Sequence, residues 1–281
     1  MTSFYEIIRG KVDNYINVFR QCYNTNILNI YFRGQGRSDW TLTPKISRKG
    51  IQISEAETKI EAINRCLWCS ESSLFENIAC MQHYGLPTRF LDYTTEVDVA
   101  LFFACNNPAH YDSDGTLFIC SYDIRNAQHI DTRLISELFA LEHEITVRHF
   151  AEQLIERYAD FKENYRDIDE LGIRILSWID HGFMVTPSGF ELGRLKIRNR
   201  RLVNQHGVFF VFGNKLKAPH LPRSTSWTQA HIILPEIADI PSIIQHPDYV
   251  RRILIPREAK PDIIKTLAER GIHQEFLFAD N

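Results

Sequence analysis

Apolar residues recur at helical spacing where the chain begins: Phe4, Ile7, Ile8, Val12, Tyr15, Ile16 and Phe19 mark one face of an opening amphipathic helix. The pattern then shortens to a strand over 28–32, and Gly34, Gly36, Pro44 and Gly50 punctuate the loop that follows, 34–53. Ser54-Glu55-Ala56-Glu57 has the form of a capping box and opens what reads as one continuous helix to about residue 80. Gly85 and Pro87 break that helix. Residues 89–93 predict a short strand, Thr94 or Thr95 can cap an apolar helix over 97–105, and 115–120 reads as a buried strand.

From 123 to 180 the sequence is mostly helical in pattern, polar on alternating faces and poor in glycine and proline. Strand signals return at 183–185, 207–212, 231–234 and 250–255. A late helix over 256–270 stops at Gly271, and 275–278 reads as a final strand. Strands at both ends of the chain with helices between them predict an α+β fold with a mixed, antiparallel sheet built from distant segments. No internal repeat or low-complexity linker divides the chain, so one domain spanning 1–281 is expected, with a helical insertion at about 123–180.

The 281 residues are 44% hydrophobic and 24% charged, which suits a folded protein with a sizeable core. A formal net charge of −3 excludes a global basic field, so any nucleic-acid contact has to be local. The one candidate is the run Arg194, Lys196, Arg198, Arg200 and Arg201, whose alternation gives a charged face that is either simply solvated or set against a phosphate backbone. It lacks interleaved aromatics for base stacking. Apolar stretches such as 99–105 fall far short of the roughly 18 residues that span a bilayer, and the first residues lack a signal-peptide pattern. A cytoplasmic protein without membrane contact is expected. The six cysteines read as free thiols. Cys66, Cys69, Cys80 and His83 have metal-like intervals, but on a continuous helix Cys80 would lie turns away from the other two, so no metal is expected.

Chemistry concentrates in two segments. In YFRGQGRSDW, residues 31–40, Arg33 ends a strand between an aromatic residue and a glycine. Such an arginine holds either an internal carboxylate or a bound phosphate or carboxylate. In the second segment, 81–95, Gln82, His83, Arg89 and Asp92 crowd together. His83 is an acid/base candidate or a donor to a backbone carbonyl, and Arg89 and Asp92 either meet a ligand or pair with each other. Arg201 and Gln205 could orient a substrate or cap the strand that begins at Gly207. A nuclease-like site on His83, Asp92 and Glu76 is disfavoured because its acids lack a paired metal-binding spacing.

These segments resemble the FRG domain family, named for its Phe/Tyr-Arg-Gly motif. The resemblance rests on Phe32-Arg33-Gly34 with Gln35, Trp40 and Pro44, on the QHYGLPTRFLDYT segment over 82–94, on 99–104, on Gln205-x-Gly207-Val208-Phe209, and on Ile255-Pro256 with Lys260 and Gly271-Ile272. More distantly, the order of strand arginine, Thr-Thr element and late carboxylate is similar to the Arg, Ser-Thr-Ser, Glu class of mono-ADP-ribosyltransferases. That likeness implies an ADP-ribosyltransferase-like core and NAD as substrate. Arg33 would hold NAD near its phosphates, Thr94 or Thr95 would brace the pocket, and Glu275 would contact the ribose. His83 completes the expected catalytic set. Gly34, Trp40, Tyr84, Arg89, Asp92, Tyr93, Thr95 and Gln205 complete the expected NAD-binding set, with Trp40, Tyr84 and Tyr93 as stacking surfaces.

The function implied is an NAD-dependent ADP-ribosyltransferase-like toxin or antiviral effector, with RNA, DNA or protein as acceptor and an antitoxin protein as candidate partner. Two alternatives stand beside it. Water as acceptor would make the protein an NAD glycohydrolase, and binding without turnover would make it a nucleotide- or anion-sensing or partner-binding module.

Overall fold

A computed structural model describes residues 2–23, 29–121, 124–126, 129–179, 182–186, 200–217, 227–237 and 250–279. The fold is mixed α+β. Its main sheet has the order β10-β3-β1-β2-β7-β6-β4, built from β1 (Ile30–Gln35), β2 (Phe90–Thr94), β3 (Gly115–Ser121), β4 (Ile124–Asn126), β6 (Gly182–Thr186), β7 (Gly207–Phe212) and β10 (Val250–Ile255). Every pairing is antiparallel except that of β4 with β6. A smaller antiparallel sheet joins β5 (Ile145–Thr146), β9 (His231–Ile237) and β8 (Asn214–Lys217).

Side-chain alternation gives the main sheet two apolar faces. On one face Tyr31, Leu91, Tyr93, Phe118, Phe210 and Phe212 pack together under Leu42 of the loop after β1. The other face is divided. Around β1 and β3, Phe32, Leu117 and Ile119 pack against α1 (Phe4–Tyr23), α4 (Val97–Cys105) and α10 (Lys260–Glu269). Around β2, β6 and β7, Phe90, Val185, Phe209 and Val211 pack against α3 (Leu74–His83) and against α5 (Ile130–Glu137), α6 (Val147–Arg157) and α8 (Ile168–Trp178). The division between these two cores falls at the seam between β1 and β2.

The helix expected to run on from residue 54 is two helices. Ser54 and Glu57 form the capping box of α2 (Glu55–Asn64), the Ser54 hydroxyl accepting from Glu57 N–H and the Glu57 carboxylate accepting from Ser54 N–H at 2.7 Å. A second capping box, Ser73 with Glu76, starts α3. Between them Cys66 takes a left-handed φ of 56°. The buried Asn77 amide stitches the connection, accepting from Cys69 N–H at 2.8 Å and donating to Cys69 C=O at 2.9 Å. The helical stretch expected over 123–180 contains α5 to α8, with α7 at Ala159–Asn164, and also the short strands β4 and β5. The strand expected at 275–278 is instead a short helix, α11 (Gln274–Leu277), whose N-terminus is capped by the His273 ring.

Candidate functional site

At the seam only Phe32 and Thr94 pair across β1 and β2, whereas β1 and β3 pair over the whole of β1. Where two strands of a sheet separate, the backbone groups between them need other partners. Arg33 supplies one: its Nη1 donates to Asp92 C=O at 2.5 Å, bridging the gap with a side chain in place of a ladder bond. Gly34 lets β1 lie tight against α4 beside that gap, since a Cβ there would lie 1.8 Å from Ala100 C=O. The result is a cleft of about 830 Å³ along the seam. That size is within the range of small-molecule sites.

The floor of the cleft is Phe32 to Gln35 of β1 and Gly36 just after it, with Asp92, Tyr93 and Thr94 of β2. One wall is the loop after β1, including Trp40, Arg48 and Lys49. His110 stands beside Trp40, and the rest of the lining comes from Gln82 and His83 at the end of α3, Phe103 of α4, and Arg201 and Gln205 beside β7. Four cationic residues (Arg33, Arg48, Lys49 and Arg201) therefore face two acids, and one of those, Asp39, is engaged by Arg37 through a bidentate pair. Burial, and then the Arg33 charge, push Arg48 below the ordinary arginine range, while Asp92 acts in the opposite sense. Two buried polar atoms in the cleft have no hydrogen-bond partner in the described residues: Arg33 Nε and Gln35 Oε1. Such atoms are uncommon in folded proteins, and here a donor edge and an acceptor both wait in a positively charged groove.

Residues 28–113 match the FRG domain. No curated protein and no solved structure matches the chain. The FRG segment supplies β1, the loop after it, α2, α3, β2, α4 and the turn carrying His110, and so most of the cleft. The rest comes from later chain: Arg201, Gln205 and β7 close one side. Lys260, wholly buried, donates from Nζ to Gly36 C=O at 2.8 Å and His110 C=O at 2.6 Å, fixing the end of β1 against that turn. Desolvation lowers the Lys260 pKa. His110 meets the half-exposed Trp40 edge-on at 4.9 Å, which holds an aromatic surface at the mouth of the cleft.

The cleft brings together Arg33, Gly34, Trp40, His83, Asp92, Tyr93, Thr94 and Gln205 from the expected set. Their roles differ. Thr94 Oγ1 donates to Gln205 C=O at 2.7 Å and accepts from Glu96 N–H at 3.0 Å, so its hydroxyl braces the end of β2 and the entry to α4. Gln205 Nε2 donates to Leu277 C=O at 3.0 Å, tying the wall to the C-terminal helix. Tyr93 lies buried on the same sheet face as Arg33, where desolvation raises its hydroxyl pKa well above the usual tyrosine value. The Asp92 carboxylate accepts from Gln82 Nε2 at 2.8 Å, and Gln82 Oε1 accepts in turn from Thr88 Oγ1 at 2.6 Å.

Four expected residues lie elsewhere. Arg89 neither pairs with Asp92 nor lines the cleft: it is 0% exposed, its Nε and Nη2 grip the Glu55 carboxylate, and its Nη1 donates to Phe212 C=O and Asn214 Oδ1. Glu275 sits on α11, its side chain 84% exposed, with an oxygen 3.0 Å from His273 Nδ1. That hydrogen bonding, led by the backbone, holds its carboxyl below the usual glutamate range. Tyr84 is exposed outside the cleft with its ring edge-on to His83, and Thr95 is exposed where its N–H donates to His206 C=O. Glu76, considered with His83 and Asp92, is engaged in capping α3. Arg194, Lys196 and Arg198 lie outside the described residues, and Arg200 begins the short helix α9 (Arg200–Asn204). Among the described residues no three His, Cys, Asp or Glu side chains converge as metal ligands, and no helix is long and apolar enough to cross a membrane.

Gln35, Arg48, His110 and Lys260 are the contributors that sequence reasoning did not place in the site. For Gln35 a signal existed, because alternation sets it on the same strand face as Arg33.

Proposed function

We propose that the cleft binds NAD through its phosphates and transfers ADP-ribose from it to a macromolecular acceptor, on an ADP-ribosyltransferase-like core. The observation that carries this reading is Arg33: a strand arginine at a split seam, braced to Asp92 C=O, with its Nε left without a partner in a cationic cleft. An oxyanion on that edge completes the guanidinium's fork of donors. Arg48 and Lys49 line the same cleft and add attraction for a pyrophosphate.

The carboxylate role moves from Glu275 to Asp92. Breaking the bond between nicotinamide N1 and ribose C1′ sends the bonding electron pair to nicotinamide and leaves positive charge on the sugar, as in glycoside cleavage. A carboxylate in the cleft stabilises that charge as it develops. The acceptor oxygen or nitrogen then bonds to C1′ and loses its proton, for which His83 is the base in the cleft. With water as acceptor the product is free ADP-ribose.

The test is incubation of the protein with adenine-labelled NAD and cell lysate, followed by separation into protein, RNA and DNA. Nicotinamide release with label in one fraction is expected, lost in Arg33→Ala and reduced about 100-fold or more in Asp92→Asn. Glu275→Gln should retain activity. Neither release nor label would sink the transferase reading and leave a second one: saturable nucleotide or anion binding without turnover. That reading needs only the unpartnered Arg33 Nε and the cationic lining of the cleft, with no reacting group.

A further inference from the structure

The second unpartnered atom has its own meaning. Gln35 is 4% exposed, and its Nε2 donates to Thr41 C=O at 3.3 Å. A carbonyl needs a donor, so this bond fixes which way round the amide sits and leaves Oε1 as the acceptor. That acceptor has no partner, although Gln35 lines the cleft. An unmet buried acceptor is costly in a folded protein, and its cost is removed when a ligand donor arrives.

Arg33 and Gln35 lie two residues apart on one strand face, so their Cα atoms are separated by about 6.6 Å along β1. Yet Arg33 Nε and Gln35 Oε1, a donor and an acceptor, do not bond each other. The separation resembles that between a nucleotide's 5′-phosphate and the secondary hydroxyls of its own ribose. A phosphate offers Gln35 only acceptor oxygens at neutral pH, whereas a sugar hydroxyl offers an O–H.

We infer that Gln35 is a specificity residue, accepting a hydrogen bond from a ribose hydroxyl of the nucleotide whose phosphate Arg33 holds. The inference rests on the nucleotide-binding reading above. It makes the cleft selective for phosphorylated ribose over phosphate or pyrophosphate alone. Gln35 contributes to binding and orientation, and the reacting bond is left to other groups.

The experiment is calorimetric titration of the full chain with ADP, 2′,3′-dideoxy-ADP and inorganic pyrophosphate, repeated with Gln35→Met and Arg33→Ala. The unaltered protein should bind ADP about tenfold more tightly than dideoxy-ADP, since a neutral hydrogen bond to an otherwise unmet acceptor is worth about that factor. Gln35→Met should lose this preference and keep its pyrophosphate affinity, which also reports that the cleft is intact. Arg33→Ala should weaken all three probes. If the unaltered protein binds ADP and dideoxy-ADP equally, the role of Gln35 is overturned even if Gln35→Met does not fold, and the anion cleft stands. If it binds none of the three, the cleft reading fails and takes the inference with it.

Discussion

Two arginines of the FRG segment look alike in sequence and behave in opposite ways. Arg33 follows Phe32 at a strand and Arg89 precedes Phe90 at the next, each amid apolar residues. Arg89 is enclosed on every side: a carboxylate, a backbone carbonyl and a side-chain amide take its donors, and they come from α2, β7 and the start of β8. Arg33 has one backbone bond, an Nε without a partner, and a charge that helps to push Arg48 below the ordinary arginine range. A buried cation with its partners present is a clasp. One held in place with a donor unpartnered is what the proposed anion site requires.

The sharpest way to break the comparison is to remove the clasp. Arg89→Ala would strand the Glu55 carboxylate against the core, and breaking a buried pair from one side costs about 3–5 kcal/mol. Urea unfolding should show that loss. A variant nearly as stable as the parent would mean that Arg89 holds nothing essential. Next comes Gly34→Ala, which drives a methyl group into Ala100 C=O of α4. Backbone cannot yield as a flexible side chain does, so a loss of about 1–3 kcal/mol is expected together with weakened ligand binding, because Arg33 adjoins the displaced residue.

Much of the frame was legible because it is local. Ser54 and Glu57 announce their capping box by spacing, and 207–212 and 250–255 show unbroken strand composition. The failures are non-local. Helix propensity runs on past residue 64, and only the fold shows Asn77 folding back onto Cys69 to separate α2 from α3. Phe276, Leu277 and Phe278 read as a strand because they are consecutive and apolar, yet only Leu277 of the three is fully buried, and the His273 ring starts a helical turn. Glu275 thus lost the strand that would have aimed it. The partner of Arg89 stands 34 residues upstream, a separation at which pattern gives no pairing. Gln82 and Asp92 share the crowded second segment, and there proximity in sequence did become proximity in space.

Asp98 gives an intermediate case, a charge cluster with partners that still reach water. Tyr5 Oη donates to it at 2.9 Å, and Arg9 and Arg270 flank it at 3.3 and 3.2 Å, joining α1, α4 and the end of α10. Burial, then the hydrogen bond to Asp98, raise the Tyr5 pKa from 10.0 to about 12. A raised folded-state pKa means that the phenol's contribution is complete below pH 10 and disappears as the pH climbs from 10 towards 12. Screening by solvent around the arginines reduces that contribution to about 1 kcal/mol. Tyr5→Phe should therefore cost about that much at pH 8 and much less near pH 12, as read by unfolding at both values. An equal cost at both would assign the effect to packing instead of the proton.

The smallest expected change in stability belongs to Arg33. Arg33→Met removes the bond to Asp92 C=O, a loss of about 1 kcal/mol, and also removes the charge that opposes Arg48 in the cleft. The two effects oppose each other, so stability without ligand should stay within about 0.5 kcal/mol of the parent. With pyrophosphate or ADP present the parent should melt at a temperature that rises with the logarithm of ligand concentration above Kd, and the variant should not. A binding residue is maintained at the expense of the empty fold, since the like charges that attract an anion repel each other in its absence. If Arg33→Met destabilised the protein as much as Arg89→Ala, Arg33 too would be a clasp, and the cleft at the seam would have lost its reason for being positive.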